Sequence, residues 1–254
     1  MMSPLADIVK ITNIARMAHK YHFANIEIWA LDALARLLQR EDPDPIETPS
    51  LILATEIAVL CDDAKLRQII CPKWKSFIEK NKDLSLAINV FERLGMRDLN
   101  GLAYHAMMLQ GRKKWNSDPL LTREQRICLL SGYYEISEIC ANLPSNPPNF
   151  VHHPSCVHGA CQNSWAVFWK DILTRISKAT ISTPDGEVVV LPNNDLIRKI
   201  KTSIRVFQVM LEDNSARTLW PQFKEVCFPL ALEAITEMSR DFEIRLTDFF
   251  QDVV

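Results

Sequence analysis

Apolar residues return every three or four positions along almost the whole chain, and they alternate in only one place. That periodicity admits amphipathic helices and little else. Ile8, Ile11, Ile14, Ala15 and Ala18 form one stripe, and Ile26, Trp29, Ala30, Ala33, Leu34 and Leu37 a second. "REDPDPIETP" then breaks the pattern, because three prolines so close together cannot occupy a helix interior. Ser50 is placed to cap "LILATEIAVLC", and a helix from about Asp63 to Lys80 carries Leu66, Ile69, Ile70, Trp74, Phe77 and Ile78 inward. The next helix stops at Gly95, and another runs from near Asp98 to Trp115. Thr122 and Gln125 have capping-box spacing before "REQRICLLSGYYEISEICANL".

"PSNPPNFVHHPS" is an irregular, proline-rich connection, and Trp165, Phe168, Trp169, Ile172 and Ile176 mark the helix after it. The one alternating run, "ATISTPDGEVVVLP", carries hairpin chemistry at Pro184-Asp185-Gly186. Asn194 is placed to cap a helix from Asp195 to about Glu212, and the stretch from Trp220 to Phe250 is helical by pattern, interrupted or restarted at Pro229. The expected fold is all-α, with about ten helices in an irregular array and one small β-hairpin near residues 180–190. Trp29, Trp74, Trp165 and Phe168 are expected in the core.

Composition narrows the function classes. Only 6 of 254 residues are glycine, which suits helices, and 29 basic against 31 acidic residues leave a net charge of -2. Such a balance provides no electrostatic footprint for nucleic acid or for an anionic membrane surface. No apolar run reaches the ~18 residues of a membrane span. The first residues lack the basic start of a signal peptide. Seven scattered cysteines fit reduced thiols, so the expected setting is intracellular, cytoplasmic or nuclear. No phosphate loop, nucleophile elbow or metalloprotease helix occurs, so no enzyme class is indicated.

Chemistry concentrates in "HHPSCVHGACQNSW", with three His and two Cys between His152 and Cys161. Zinc takes four N or S donors in a tetrahedron. Cys156 and Cys161 are candidate ligands, and His158, His153 or His152, together with Cys140, are candidates to complete the set. A structural zinc would fasten the proline-rich link to the helical body. The plainer reading is a helix entry with small buried thiols, and the sequence alone favours it. A reactive thiol at the helix start is a third reading. Elsewhere, Arg112 to Trp115 is a basic run at a helix end. Glu56, Asp62 and Asp63 have no catalytic partner in register, and His19 and His22 lie three apart with no evident third ligand.

"ITNIARMAHKYHFANIEIWALDALARLL" resembles the helical end of a BTB/POZ domain, and "PSLILATEIAVLCDDAKLRQIICPKWKSFI" is similar to the BACK-type helix pair that follows one. "SLAINVFERLGMRDLNGLAYHAM", "LTREQRICLLSGYYEIS" and "SCVHGACQNSWAVFWKDIL" are similar to the C-terminal regions of BTB proteins of mushroom-forming fungi. The α/β front of a BTB domain is not visible. The resemblance implies terminal BTB-like helices over 1–40, a BACK-like segment over 41–142 and a C-terminal helical subdomain with the hairpin over 156–254. It also implies a non-enzymatic adaptor whose partners are other proteins, of the ubiquitin-ligase or transcription machinery. The alternatives are a zinc-stabilised structural protein and an enzyme with an unrecognised site among its helices.

Overall fold

The computed structural model describes residues 4–39, 46–156, 158–178, 180–182, 188–190, 194–212 and 223–251. The fold is helical and divides into two compact units. The first comprises residues 1–107 and 118–121, and the second 108–117 and 122–254.

The first unit is built from α1 (Pro4–Lys20), α2 (Ala24–Gln39), α3 (Thr48–Leu60), α4 (Ala64–Glu79), α5 (Leu84–Leu94) and α6 (Arg97–Leu109). α1 packs on α2 and α3, and α4 on α2, α3 and α5. Trp74 is fully buried, set edge-on to Phe91 with ring centroids 5.0 Å apart. Its indole N–H donates to Thr55 Oγ1 at 2.8 Å, and that hydroxyl donates on to the Leu51 carbonyl at 2.6 Å. The polar end of a large core side chain is thus satisfied inside the fold.

Four helices of this unit end the same way. Phe23, Asp63, Lys82 and Met96 each donate to a carbonyl five residues back, while the residue before each reaches three back. Those preceding residues, His22, Asp62, Asn81 and Gly95, have φ of 59°, 50°, 53° and 66°. This is the Schellman termination. The sequence reading found it only at Gly95, since glycine alone advertises a positive φ. α3 starts earlier than Ser50, at Thr48, with Pro49 in its first turn, where a missing N–H costs nothing.

The second unit holds α7 (Arg112–Ser117), α8 (Arg123–Asn142), α9 (His158–Lys178), α10 (Leu196–Glu212) and α11 (Phe228–Arg245). The expected single helix from Asp98 to Trp115 is split, because Gly111 takes φ 82° after α6. The Thr122–Gln125 capping box opens α8. Asp195 rather than Asn194 caps α10, accepting from the Arg198 N–H at 3.1 Å. Pro229 sits in the first turn of α11, so it starts that helix. Thr180–Ser182 (β1) and Val188–Val190 (β2) pair antiparallel. The expected turn Pro184-Asp185-Gly186 lies outside the described residues.

The core of this unit is aromatic. Trp165 stacks on Phe168 and Phe223 at 5.6 Å each, and Phe168 meets Phe207 at 4.9 Å. The proline-rich link at 143–155 is held down within this unit. The Trp169 indole donates to the Leu143 carbonyl at 2.7 Å and the Trp165 indole to that of Pro148 at 2.9 Å. In sequence, the change from one compact unit to the other falls at 107–122.

Candidate metal centre

His152, Cys156, Cys161 and Cys227 bring one nitrogen and three sulfurs within 4.8 Å of one another. His152 Nδ1 lies 3.8 Å from Cys156 Sγ and 3.7 Å from Cys227 Sγ. At the usual Zn–N and Zn–S lengths, the edge of a tetrahedron between such donors is about 3.6 Å. The spacing therefore suits a zinc ion at the centre.

Each donor has a structural reason for its place. The His152 ring packs on Phe150 at 4.4 Å, and Phe150 in turn meets Trp165 and Phe223 of the aromatic core. Cys156 closes a turn by donating its N–H to the His153 carbonyl at 2.9 Å. Cys161 lies in the first turn of α9, where the helix dipole favours a thiolate. Cys227 ends a short 3₁₀ turn, Glu225–Cys227, immediately before α11. The link, α9 and the entry to α11 thus meet at one point. All three cysteines are buried and free.

Burial is the main force on Cys156 and Cys161. It pushes Cys161 up to about 12, with the neighbouring Cys156 and Cys227 adding to the rise and a backbone hydrogen bond from Lys224 opposing it. Cys156 is also raised, first by burial. Without a cation the Cys156 and Cys161 thiols are therefore held protonated. A dication would invert this, expelling the thiol protons and leaving three thiolates and an imidazole around it.

Cys156 and Cys161 converge as the sequence suggested. Of the three candidate histidines, His152 joins them. His153 is exposed, and its Nδ1 pairs with the Ser155 hydroxyl at 2.7 Å. His158 opens α9, and its side chain lies outside the described residues. Cys140 is not part of the cluster. It lies on α8 beside a separate pocket with Tyr133, Ser137 and Lys199, its thiol pushed up to about 11, chiefly by burial. Cys227 is the candidate donor that sequence reasoning missed. It lies 75 residues beyond His152, on another element, and no local spacing signals it.

The remaining polar candidates have structural partners. Glu56 accepts from Arg16 at 3.1 Å and Arg93 at 2.7 Å, Asp62 pairs with Arg67, and Asp63 caps α4. Trp115, at the end of the basic run, is buried against Tyr133. No helix among the described residues is long and apolar enough to cross a membrane. No family model, curated protein or solved structure matches this chain.

Proposed function

We propose that the chain is a non-enzymatic protein-interaction module, braced in its second unit by a structural zinc ion on His152, Cys156, Cys161 and Cys227. The observation that carries the interaction reading is on α1 and α2. Met17, Tyr21, Phe23, Ile26 and Trp29 are all exposed, Trp29 at 53% and Phe23 at 56%. The Tyr21 and Phe23 rings lie 6.3 Å apart at the turn between the two helices. Exposed apolar residues are ordinary singly, but a run of them with three aromatics, one a tryptophan, has the composition of an interface core.

The resemblance to the helical regions of fungal BTB proteins points the same way. On that reading the partner is a protein of the ubiquitin-ligase or transcription machinery, met inside the cell, where reduced thiols persist. The zinc acts as a brace. It ties an irregular link to two helix starts and contributes folding free energy directly.

Affinity purification of the wild-type chain and of Trp29→Ala, Phe23→Ala and Cys227→Ser tests both parts. Wild type should retain a defined set of proteins, and the two aromatic variants should lose it while keeping their helical circular dichroism. Cys227→Ser should co-purify with one equivalent of zinc fewer than wild type. Aromatic variants that keep the wild-type partners would overturn the interaction surface.

A further inference from the structure

The first unit brings together a second set of donors, which shares no residue with the centre above. His19 is in the last turn of α1, Glu27 in the first turn of α2, and Cys61 caps the C-terminus of α3. His19 Nδ1 stands 3.3 Å from Glu27 Oε2, and one donor atom from each of His19, Glu27 and Cys61 lies within 4.8 Å of the others. From this meeting of three helix ends we infer a second, exchangeable metal site, taking a divalent transition ion and, by its mixed N, O and S donors, zinc.

The backbone sets the geometry. The Schellman turn at His22 ends α1 and returns the chain into α2, placing Glu27 opposite His19. The same turn at Asp62 ends α3 and presents Cys61 at the helix terminus. One ligand from each helix is the pattern of a site that clamps elements together rather than one closed within a single loop.

The chemistry separates this site from the first. Three protein donors leave a tetrahedral position for water or for a donor from another molecule, as in zinc sites that stay open. All three residues are half-buried, so an ion reaches them without unfolding the unit. Burial, with Glu27 and then Asp63 adding to it, holds the Cys61 thiol at about 11. On binding, the Cys61 S–H bond breaks, a sulfur–metal bond forms, and the proton leaves to solvent. The same ion balances the Glu27 carboxylate, which otherwise opposes a neighbouring thiolate. Only three ligands are supplied and one of them alone is a thiolate, so this ion is held less tightly than one in the His-Cys₃ set. It pins the α1–α2 turn, where Tyr21 and Phe23 are exposed, to the end of α3.

The test is metal stoichiometry on the full chain, stripped with a strong chelator and titrated with Zn²⁺ and, separately, Co²⁺. Wild type should take two equivalents. A chelator of moderate strength should remove one of them first, which requires no variant to fold. Cys61→Ser and Glu27→Gln should each hold one equivalent and keep wild-type circular dichroism. Cys227→Ser should lose the other equivalent and still show a thiolate-to-cobalt absorption band, arising from Cys61. If wild type and Cys61→Ser take up the same number of equivalents, the three groups are an ion pair beside a buried thiol and the inference is wrong. Retention of the second equivalent by both Cys61→Ser and Glu27→Gln overturns it as well. Failure of the His-Cys₃ reading looks different: Cys227→Ser would then match wild type.

Discussion

At Trp74 a single side chain joins three helices, by ring contact with Phe91 on α5, by its hydrogen bond to Thr55 on α3 and by its own place on α4. Trp74→Ala should destabilise the chain by about 3–5 kcal/mol, the range for removing a large core aromatic, and it also removes the hydrogen bond that the buried Thr55 hydroxyl accepts. Trp29→Ala should cost less than about 1 kcal/mol, because most of that ring already faces solvent. Denaturant melts of the two variants side by side check both, and equal losses would contradict the placement of α2. The sequence put both tryptophans in the core, and only Trp74 is there. On α2 apolar residues cover two flanks. Ile26 and Trp29 lie on one and Leu31, Ala35 and Leu38 on the other, with Ala30 and Leu34 between. Periodicity shows that a helix has an apolar face, but with two apolar flanks it does not say which one turns inward. Legibility of the metal donors divides in a similar way. Cys156 and Cys161 are readable because they are close in sequence. His152 is one of three histidines equally placed on spacing. Cys227 depends on how α11 returns to α9, which is a tertiary fact.

Helices α8 and α11 and the turn at 246–250 show how element ends are fixed by close approach. The 3₁₀ turn Leu246–Phe250 packs on α8, and the point of contact is Gly132. A Cβ on Gly132 would run into the Phe250 ring and crowd the Phe249 carbonyl. Gly132→Ala improves helix propensity in α8 but forces Phe250 out of place. We expect a net loss of about 1–3 kcal/mol by thermal melting, the usual cost of overpacking. A stabilised variant would show that the C-terminal turn yields freely. Nothing in the sequence marked Gly132 for this role, since a glycine inside a helical pattern reads only as a weak spot. The helix ends in the first unit were equally hidden. His22, Asp62 and Asn81 adopt left-handed conformations that short polar residues tolerate but do not advertise. By contrast, Thr122 with Gln125 was readable at once, because both halves of a capping box are local.

Across the whole molecule, each unit carries its own aromatic core, and only the second has the His-Cys₃ set beside it. A zinc held there would therefore brace a unit that already buries Trp165, Phe168, Trp169, Phe207 and Phe228, rather than substitute for a core. Removing it should loosen the elements it joins while the remainder persists. Three segments supply the donors: the link holding His152 and Cys156, the first turn of α9 with Cys161, and the 3₁₀ turn with Cys227. Hydrogen exchange on zinc-loaded Cys61→Ser, with and without a strong chelator, isolates this centre from the His19 site. Exchange should accelerate by about tenfold or more over 146–161 and 223–228, as expected for a local opening that has lost roughly 1.4 kcal/mol or more of protection. Protection in α3, α4 and α5 should not change, because the Trp74 core belongs to the other unit. An unchanged pattern everywhere would return the cluster to a set of buried thiols at a helix entry. Loss of protection through α8, α10 and α11 together would make the ion a condition for folding the second unit, and a brace would then be too small a role for it.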